Sequence, residues 1–182
     1  MLVKDWMSRP VVIIDQEEAM SHAAGLMKEH KVRMLPVTSK GKLVGVVSDS
    51  DLKRASASDA TTLDMHELLY LLSKVKIKEI MTKNPVTVPS DYTVEETAEV
   101  LLANRISGVP VVYANGKIAG IITRDDLFKV LIALSGLGKK GIQFAFKVDD
   151  RPGSIKELSD IIRGYGGRLA SLLVSPERAE AL

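Results

Sequence analysis

The chain has no cysteine in its 182 residues, and only 4% of those residues are aromatic. The absence of cysteine excludes a disulfide framework and any metal site built from thiolates, and it fits a reducing compartment. Because aromatic side chains are scarce, the core must consist of valine, isoleucine, leucine, alanine and methionine. With 46% hydrophobic and 26% charged residues, the composition is that of an ordinary globular protein.

The net charge is small, and the sequence has no long apolar run. The formal net charge is +2 at pH 7, which is too small to indicate a nucleic-acid partner. No apolar run approaches the roughly 20 residues that span a bilayer, and the N-terminus carries charges where a signal peptide would be apolar. These features predict a cytoplasmic protein without a membrane or nucleic-acid partner.

The most informative feature that is present is an internal repeat. Residues Lys4–Val37 align without a gap on Lys78–Val111, at an offset of 74 residues. One residue inserted near Asn115 then aligns Gly41–Ala55 on Gly116–Val130. Two copies, each too small to cover its own sheet, are expected to pack around a pseudo-twofold axis. The cleft between them would carry two related sites.

Each copy has the pattern strand, helix, strand, strand, helix, which predicts an α+β fold. The strand signals are β-branched runs, and the helix signals are apolar residues at helical spacing. Strands are predicted at Val11–Ile14, Arg33–Thr38, Leu43–Val47, Val86–Val88, Val109–Tyr113 and Ile118–Ile122. Core-facing helix positions are predicted at Met20, Ala24, Met27, Val94, Ala98, Leu101 and Leu102, and the closing helices are predicted to begin at Asp51 and Asp125.

The repeats occupy residues 1–55 and 77–134 and are joined by a linker over residues 56–76. In this linker, Thr61–Asp64 resembles a capping box. The residues that follow form an apolar stripe, which predicts a helix that packs on the repeats or on a second subunit. The stripe consists of Met65, Leu68, Leu69, Leu72 and Val75.

The pattern changes in a tail over residues 140–182. Ile142–Val148 alternates as a half-buried strand would. Ser154 and Glu157 have capping-box spacing ahead of an apolar helix face, and Arg168–Val174 has the pattern of another strand. The tail is therefore predicted to form a βαβ piece.

The sharpest site candidates are two matching motifs, Ser48-x-x-Asp51 and Thr123-x-x-Asp126. Each follows a strand and precedes a helix, so each motif taken alone is explained by a capping box. A helix N-terminus also presents free N–H groups and partial positive charge to an anion, and a carboxylate can accept hydrogen bonds from a sugar diol. Capping and ligand binding are compatible, so both interpretations remain open for these residues.

The repeat resembles the CBS (cystathionine-β-synthase) domain, and the pair resembles a CBS tandem, or Bateman module. The resemblance rests on the opening Met7–Pro10 and Met81–Pro85, on Leu35-Pro36-Val37 and Val109-Pro110-Val111, and on Gly45–Asp51 and Gly120–Asp126. It covers about residues 1–134. It implies a regulatory module that binds an adenine nucleotide (AMP, ADP or ATP) or S-adenosylmethionine in the cleft, and that forms a homodimer.

The tail resembles the first half of an ACT domain, of ferredoxin-like fold, through Val148–Ile155. A complete ACT domain is βαββαβ, whereas this sequence stops after βαβ, so either the sequence is cut or a partner completes the half-domain. The order CBS–CBS–ACT is similar to the acetoin-utilisation B type of protein.

The CBS resemblance implies that the helix-start hydroxyl binds phosphate, the carboxylate binds ribose, and the base lies near the first strand. One site would use Thr123, Asp126, Arg124, Thr82, Pro85, Val86, Ile106, Ser107, Gly108 and Val109. The other would use Ser48, Asp51, Val12 and Met34, with Ser8, Val11, Val32, Arg33 and Leu35 beside them.

The two sites are expected to differ in strength. Arg124 offers a charged partner for phosphate, whereas Asp49 at the equivalent position repels it. Gly108 leaves room beside the backbone, whereas Met34 at the equivalent position is bulky. We therefore expect the site of Thr123 to bind an anionic nucleotide better.

No nucleophile–base pair, metal cluster or cofactor motif is recognisable in the sequence, so catalysis is not expected and no catalytic or metal residues are assigned. Two alternatives remain open: a structural or oligomerisation module without a ligand, and an enzyme of unrecognised type. A regulated protein partner is also expected.

Overall fold

The computed structural model describes residues 1–59, 74–136 and 141–174. The chain forms two compact units, Met1–Leu127 and Phe128–Leu182. The first unit contains two small sheets with helices, so the prediction of an α+β fold with two repeats is confirmed.

The first sheet has four strands in the order β1-β2-β3-β4. Strand β1 runs parallel to β2, and the other neighbours are antiparallel. The strands are β1 (Ile14–Asp15), β2 (Met34–Ser39), β3 (Lys42–Ser48) and β4 (Thr82–Lys83), and the helices with them are α1 (Met20–His30), α2 (Asp49–Asp59) and α3 (Ile77–Ile80). Lys40 and Gly41 join β2 to β3 with φ values of 50° and 77°, as a type I′ hairpin turn requires.

The second sheet repeats the first three strands in the order β5-β6-β7. Its strands are β5 (Val88–Pro89), β6 (Gly108–Val112) and β7 (Ile118–Thr123), and helices α4 (Val94–Ala103) and α5 (Arg124–Ser135) accompany it. Its hairpin is one residue longer, and Gly116 takes the left-handed position with φ 76°. The inserted residue of the alignment therefore lies in a turn, where it leaves the strand register unchanged.

The N-terminal segment of the chain packs on the second sheet. Val3 is fully buried in the core of the second repeat. The carbonyl of Met1 accepts a hydrogen bond from the first N–H of α4, on Val94, at 2.8 Å, and the N–H of Ser8 donates to Ile121 on β7 at 2.8 Å. The residues that open the first repeat in sequence therefore complete the second repeat in space.

The segment before the second repeat packs on the first sheet in the same way. Ile77 is fully buried in the core of the first repeat. The carbonyl of Val75 accepts from the first N–H of α1, on Met20, at 2.9 Å, and β4 pairs with β3. We call residues 1–8 and 75–83 the exchanged segments, because each leads into one repeat in sequence order and packs on the sheet of the other.

Two side-chain contacts on the surface lie near these backbone hydrogen bonds. Lys78 in α3 donates to both carboxylate oxygens of Glu17, at 2.8 and 3.1 Å, and this hydrogen bond raises the pKa of Lys78. Thr93 and Glu96 form a capping box at the start of α4, in which the backbone N–H of Thr93 donates to Glu96 and lowers the pKa of that carboxyl. Because Lys78 and Glu17 are both exposed, their ion pair contributes little to stability.

A methionine in each exchanged segment lies against a glycine of the sheet that it joins. A Cβ atom placed on Gly120 would lie 2.6 Å from Cγ of Met7, and one placed on Gly45 would lie 2.6 Å from Sδ of Met81. Real Cβ contacts are essentially never under 3.0 Å. The two glycines are therefore required for close approach rather than for an unusual backbone conformation.

Each sheet has its own aliphatic core, as the scarcity of aromatic residues predicts. Both cores include residues from an exchanged segment, so neither is complete without a piece of the other repeat. The first core consists of Ile14, Met20, Ala23, Met27, Leu35, Val37, Val47, Leu52 and Ile77. The second consists of Val3, Met7, Val88, Leu101, Val109, Val111, Ala119 and Ile122.

Several predicted details of the elements are wrong. The first strand of each repeat is only two residues long, because only Ile14–Asp15 and Val88–Pro89 pair with the neighbouring strand. The core face of α1 includes Ala23 and leaves Ala24 exposed. In α4, Ala98 is half-buried and Leu102 is 73% exposed.

The closing helices begin at Asp49 and Arg124, slightly before the predicted positions. In the linker, the predicted capping box Thr61–Asp64 and the stripe residues from Met65 to Leu72 lie outside the described residues. Val75 of that stripe packs partly buried against the first core.

The described part of the tail contains a helix, α6 (Ser154–Gly164), but not the two predicted strands. Residues 141–149 and 168–174 have no ladder, and the apolar side chains of the first stretch, from Ile142 to Val148, are exposed rather than half-buried. A strand forms only against a neighbour, and residues 141–174 pair with none.

The predicted capping box of the tail is also wrong. The N-cap of α6 is Gly153, and Glu157 instead accepts two hydrogen bonds from Arg151, at 2.9 and 2.6 Å. This pair lowers the pKa of Glu157 and raises that of Arg151.

Within the described ranges, no helix combines the length and the apolarity needed to cross a bilayer.

The Met–Gly contacts make a stability prediction. Replacing Gly120 by Ala puts a methyl group into the space of Met7, so we expect the unfolding free energy to fall by about 1–3 kcal/mol. G45A should act likewise through Met81. The matched control is G25A on the exposed face of α1, where a Cβ meets nothing within 4 Å. That change should stabilise by about 0.5–1 kcal/mol. Denaturant unfolding of all three variants checks this, and unchanged stability in G120A would contradict the packing.

Candidate ligand-binding site

The two candidate motifs occupy equivalent places in the fold. Strand β3 ends at Ser48 where α2 begins, and β7 ends at Thr123 where α5 begins. We call Ser48–Asp51 the first mouth and Thr123–Asp126 the second mouth. Alternate residues of a strand face opposite sides of a sheet, so both hydroxyls lie on the face away from the cores.

Both mouths form the same hydrogen-bond pattern. In the first, Asp51 Oδ2 accepts from the N–H of Ser48 at 2.9 Å and from its hydroxyl at 2.6 Å. In the second, Asp126 Oδ2 accepts from the N–H and hydroxyl of Thr123 at 3.0 and 2.7 Å. In return, each hydroxyl oxygen accepts the aspartate N–H at 3.3 Å. These are reciprocal caps, which by themselves account for the residue types in the motif.

The two carboxylates differ in accessibility. Asp126 is buried, at 4% exposure. The side chain of Asp51 is 13% exposed and lies 3.6 Å from the guanidinium of Arg54. Exposure alone therefore favours the first mouth for a sugar contact.

The wall of the second mouth is the start of β6. Gly108 lies opposite Thr123 in the ladder, and the N–H of Arg124 donates to the carbonyl of Ser107 at 3.0 Å. The Nε of Arg124 also donates to the carbonyl of Ile106 at 3.1 Å. The structure thus brings these predicted site residues together and fixes the exposed guanidinium beside them.

Val109 is the exception among the residues of this wall. It lies opposite Ile122 and is fully buried in the second core. Its side chain faces the helices, so only its backbone borders the mouth, and its assignment to the site stays a prediction.

The first mouth has an equivalent wall. Met34 lies opposite Ser48, and the N–H of Asp49 donates to the carbonyl of Arg33 at 3.0 Å. Val12 packs partly buried against the first core, so it contributes to packing rather than to an open slot.

Thr82 joins the sheet of the first mouth. It pairs with Val46 on β3, the strand that ends at the first mouth, whereas Ser8 bonds to Ile121 on β7, the strand that ends at the second mouth. The grouping of Thr82 with Thr123 in one ligand site stays a prediction. Pro85 and Val86 continue the same chain segment, half-buried and 39% exposed respectively.

The charges at the two mouths are more alike than the sequence motifs suggested. Asp49 is paired with Lys53 at 2.7 Å, so its negative charge is partly compensated. Arg33, which the sequence analysis named only as a neighbour of the base, is exposed and hydrogen-bonded through its backbone to Asp49. The wall of each mouth thus has an arginine, Arg124 at the helix start in one repeat and Arg33 just before the strand in the other, and the first mouth has Arg54 near Asp51 as well.

Among residues 1–59, 74–136 and 141–174, no group of three or more histidine, aspartate or glutamate side chains is placed to hold a metal ion.

Comparison with known proteins identifies the repeat. The model of the CBS domain family matches residues 3–58 and 77–133. A CBS domain-containing protein of Dictyostelium discoideum is 31% identical over 132 residues, which cover 72% of this chain and 91% of the relative.

The solved structures that are similar to this chain include two with bound ligands. The CBS domain pair of protein MJ0100, in complex with 5′-methylthioadenosine and S-adenosyl-L-methionine, aligns with a TM-score of 0.63 and 31% identity over 76% of this chain and 98% of that one. CBSX2 of Arabidopsis thaliana in complex with AMP aligns with a TM-score of 0.59 and 29% identity over 72% and 96%. The chain therefore belongs to the CBS domain family, and its two repeats form a tandem CBS pair.

Proposed function

We propose that the chain is a regulatory module that binds an adenosine-containing ligand in the cleft between its CBS repeats, chiefly at the second mouth. The observation that carries this proposal is the wall of that mouth. There, Arg124, which follows Thr123 in the chain, donates hydrogen bonds to the carbonyls of Ile106 and Ser107, the two residues just before β6. The ligands of the two similar solved structures, AMP and S-adenosylmethionine with 5′-methylthioadenosine, supply the adenosine part of the proposal.

The chemistry of the second mouth suits such a ligand. The N-terminus of α5 favours an anion, and the guanidinium of Arg124 adds a charge in a fixed orientation. The Thr123 hydroxyl and the Asp126 carboxylate are polar groups that a phosphate and a ribose diol can share with the cap.

Regulation would follow from the exchange of segments. Because each repeat contains a piece of the other, a ligand that binds one arrangement of the repeats better shifts the equilibrium between arrangements. We propose that the protein acts as a cytoplasmic homodimer and passes this shift to a protein partner. The proposal includes no catalytic step.

For the tail we propose half of an ACT domain, in the CBS–CBS–ACT order of the acetoin-utilisation B type. The helix α6 has the expected position after the Asp149–Gly153 loop. In this proposal the two tail strands form when a partner supplies the missing neighbour, which would bury the apolar side chains of residues 142–148.

The alternative is a structural module that binds no ligand. The observation in its favour is the completeness of both caps, which leaves Ser48, Asp51, Thr123 and Asp126 explained by helix formation alone.

A thermal-shift panel distinguishes these two functions. The purified chain should be stabilised by AMP, ADP, ATP, S-adenosylmethionine or 5′-methylthioadenosine, by about 2.7 kcal/mol at 100 times the dissociation constant. Guanosine and cytidine monophosphates are the controls for nonspecific anion binding. No response to any adenosine compound would favour the structural module.

The two aspartates form a matched pair for testing the mouths. D126A and D51A each remove one cap, so each should destabilise the protein by about 1 kcal/mol. Only D126A is expected to weaken AMP binding strongly, since the second mouth is the proposed site. Calorimetric titration of both variants checks this, and equal losses of affinity would refute the ranking.

The phosphate contact has its own test. R124Q removes a charge-assisted hydrogen bond of about 1.5–3 kcal/mol, so AMP should bind roughly tenfold or more weakly. Adenosine, which has no phosphate, should bind R124Q and the unmodified chain equally. R33Q at the first mouth is the control and should leave AMP binding unchanged. An equal loss for AMP and adenosine would show that Arg124 supports the wall without contacting phosphate.

A further inference from the structure

The residue opposite the helix-start hydroxyl differs between the mouths. Gly108 lies opposite Thr123, and Met34 lies opposite Ser48. Paired residues of an antiparallel ladder project their side chains on the same face, here the face away from the cores. Whatever side chain stands at position 34 or 108 is therefore the nearest cross-strand neighbour of the hydroxyl.

Positions 108 and 34 have different neighbours across the ladder. A Cβ on Gly108 would lie 3.1 Å from Cγ2 of Thr123 and 3.1 Å from the carbonyl of Ile122. In the second mouth the threonine methyl group thus occupies the position beside the glycine. In the first mouth, Ser48 lacks that methyl group, and the residue across the ladder is the half-buried Met34.

The rest of the first mouth is intact. Its cap has the same hydrogen bonds as the second within 0.1 Å. Its carboxylate, Asp51, is the more exposed of the two, and Arg33 supplies a positive charge at the start of β2. On its wall, the first mouth has Arg33 and Met34 where the second has Ser107 and Gly108, and Met34 is the residue that adds bulk across from the hydroxyl.

We propose that Met34 fills the first mouth and that Gly108 leaves the second open, so that this single pair of positions limits the chain to one ligand. This inference rests on the proposed function and adds the number of ligand molecules that one chain binds. Gly108 is itself buried, so the ligand would contact the exposed Ser107 and the half-buried Thr123 beside it. In this proposal the side chain of Met34 takes the space that the base would need, and so excludes a ligand from the first mouth.

The test is calorimetric titration with AMP and, separately, with S-adenosylmethionine, so that the charge of the probe does not decide the result. The unmodified chain should take up one ligand per chain, and M34G should take up two. M34L, which keeps the bulk, is the matched control and should stay at one. M34A removes the same atoms beyond Cβ and replaces M34G if the glycine variant does not fold.

The converse change closes the second mouth. G108M combined with T123S copies the residues of the first mouth and relieves the contact with the threonine methyl group. This double variant should bind AMP at least tenfold more weakly and should still unfold cooperatively on heating. T123S alone measures how much of that loss comes from the missing methyl group, and adding G108M to it should cost at least a further tenfold.

Two results overturn the inference while leaving the proposed function standing: two ligands on the unmodified chain, or one ligand on both M34G and M34A. If neither AMP nor S-adenosylmethionine binds the unmodified chain or any of the variants, the proposed function itself is overturned.

Discussion

The close approach of Met7 to Gly120 and of Met81 to Gly45 is the constraint on which the two repeats depend. These contacts, with the backbone bonds around them, hold each exchanged segment in the sheet of the other repeat. Each core then includes a buried residue from the exchanged segment, Val3 or Ile77. Neither repeat can therefore be complete alone, and the pair is the smallest unit with two finished cores.

The exchange also determines what lies beside each mouth. The segment that enters the first sheet carries Thr82 to β3, and the segment that enters the second sheet carries Ser8 to β7. A ligand at either mouth would therefore lie next to chain from both repeats. This geometry explains how a small molecule could act on the arrangement of the repeats without any dedicated hinge, since the same segments hold the cores together and border the mouths.

Much of the fold follows from the sequence, because the duplication, the hairpin glycines and the two caps are local signals. The exchange does not, since an alignment of Lys4–Val37 on Lys78–Val111 is the same whichever sheet each opening segment joins. For the same reason the sequence does not indicate that Thr82 joins the sheet of the first mouth. Val109 was assigned to the site because the resemblance concerns a stretch of residues, whereas the alternation of a strand directs every second side chain to the core. The tail strands could not be predicted correctly, because their pairing depends on a neighbour that residues 141–174 lack.

The two mouths can differ because a helix cap constrains the hydroxyl and the carboxylate but not the residue across the ladder. The cap needs a hydroxyl and a carboxylate three residues apart, and both repeats keep them for the stability of α2 and α5. It places no demand on the residue across the ladder, so that position can become methionine in one copy and glycine in the other without cost to the helix. Conserved geometry at the helix start is thus compatible with different occupancy. The cross-strand residue, rather than the capping motif, is where the two halves of a duplicated sensor can diverge.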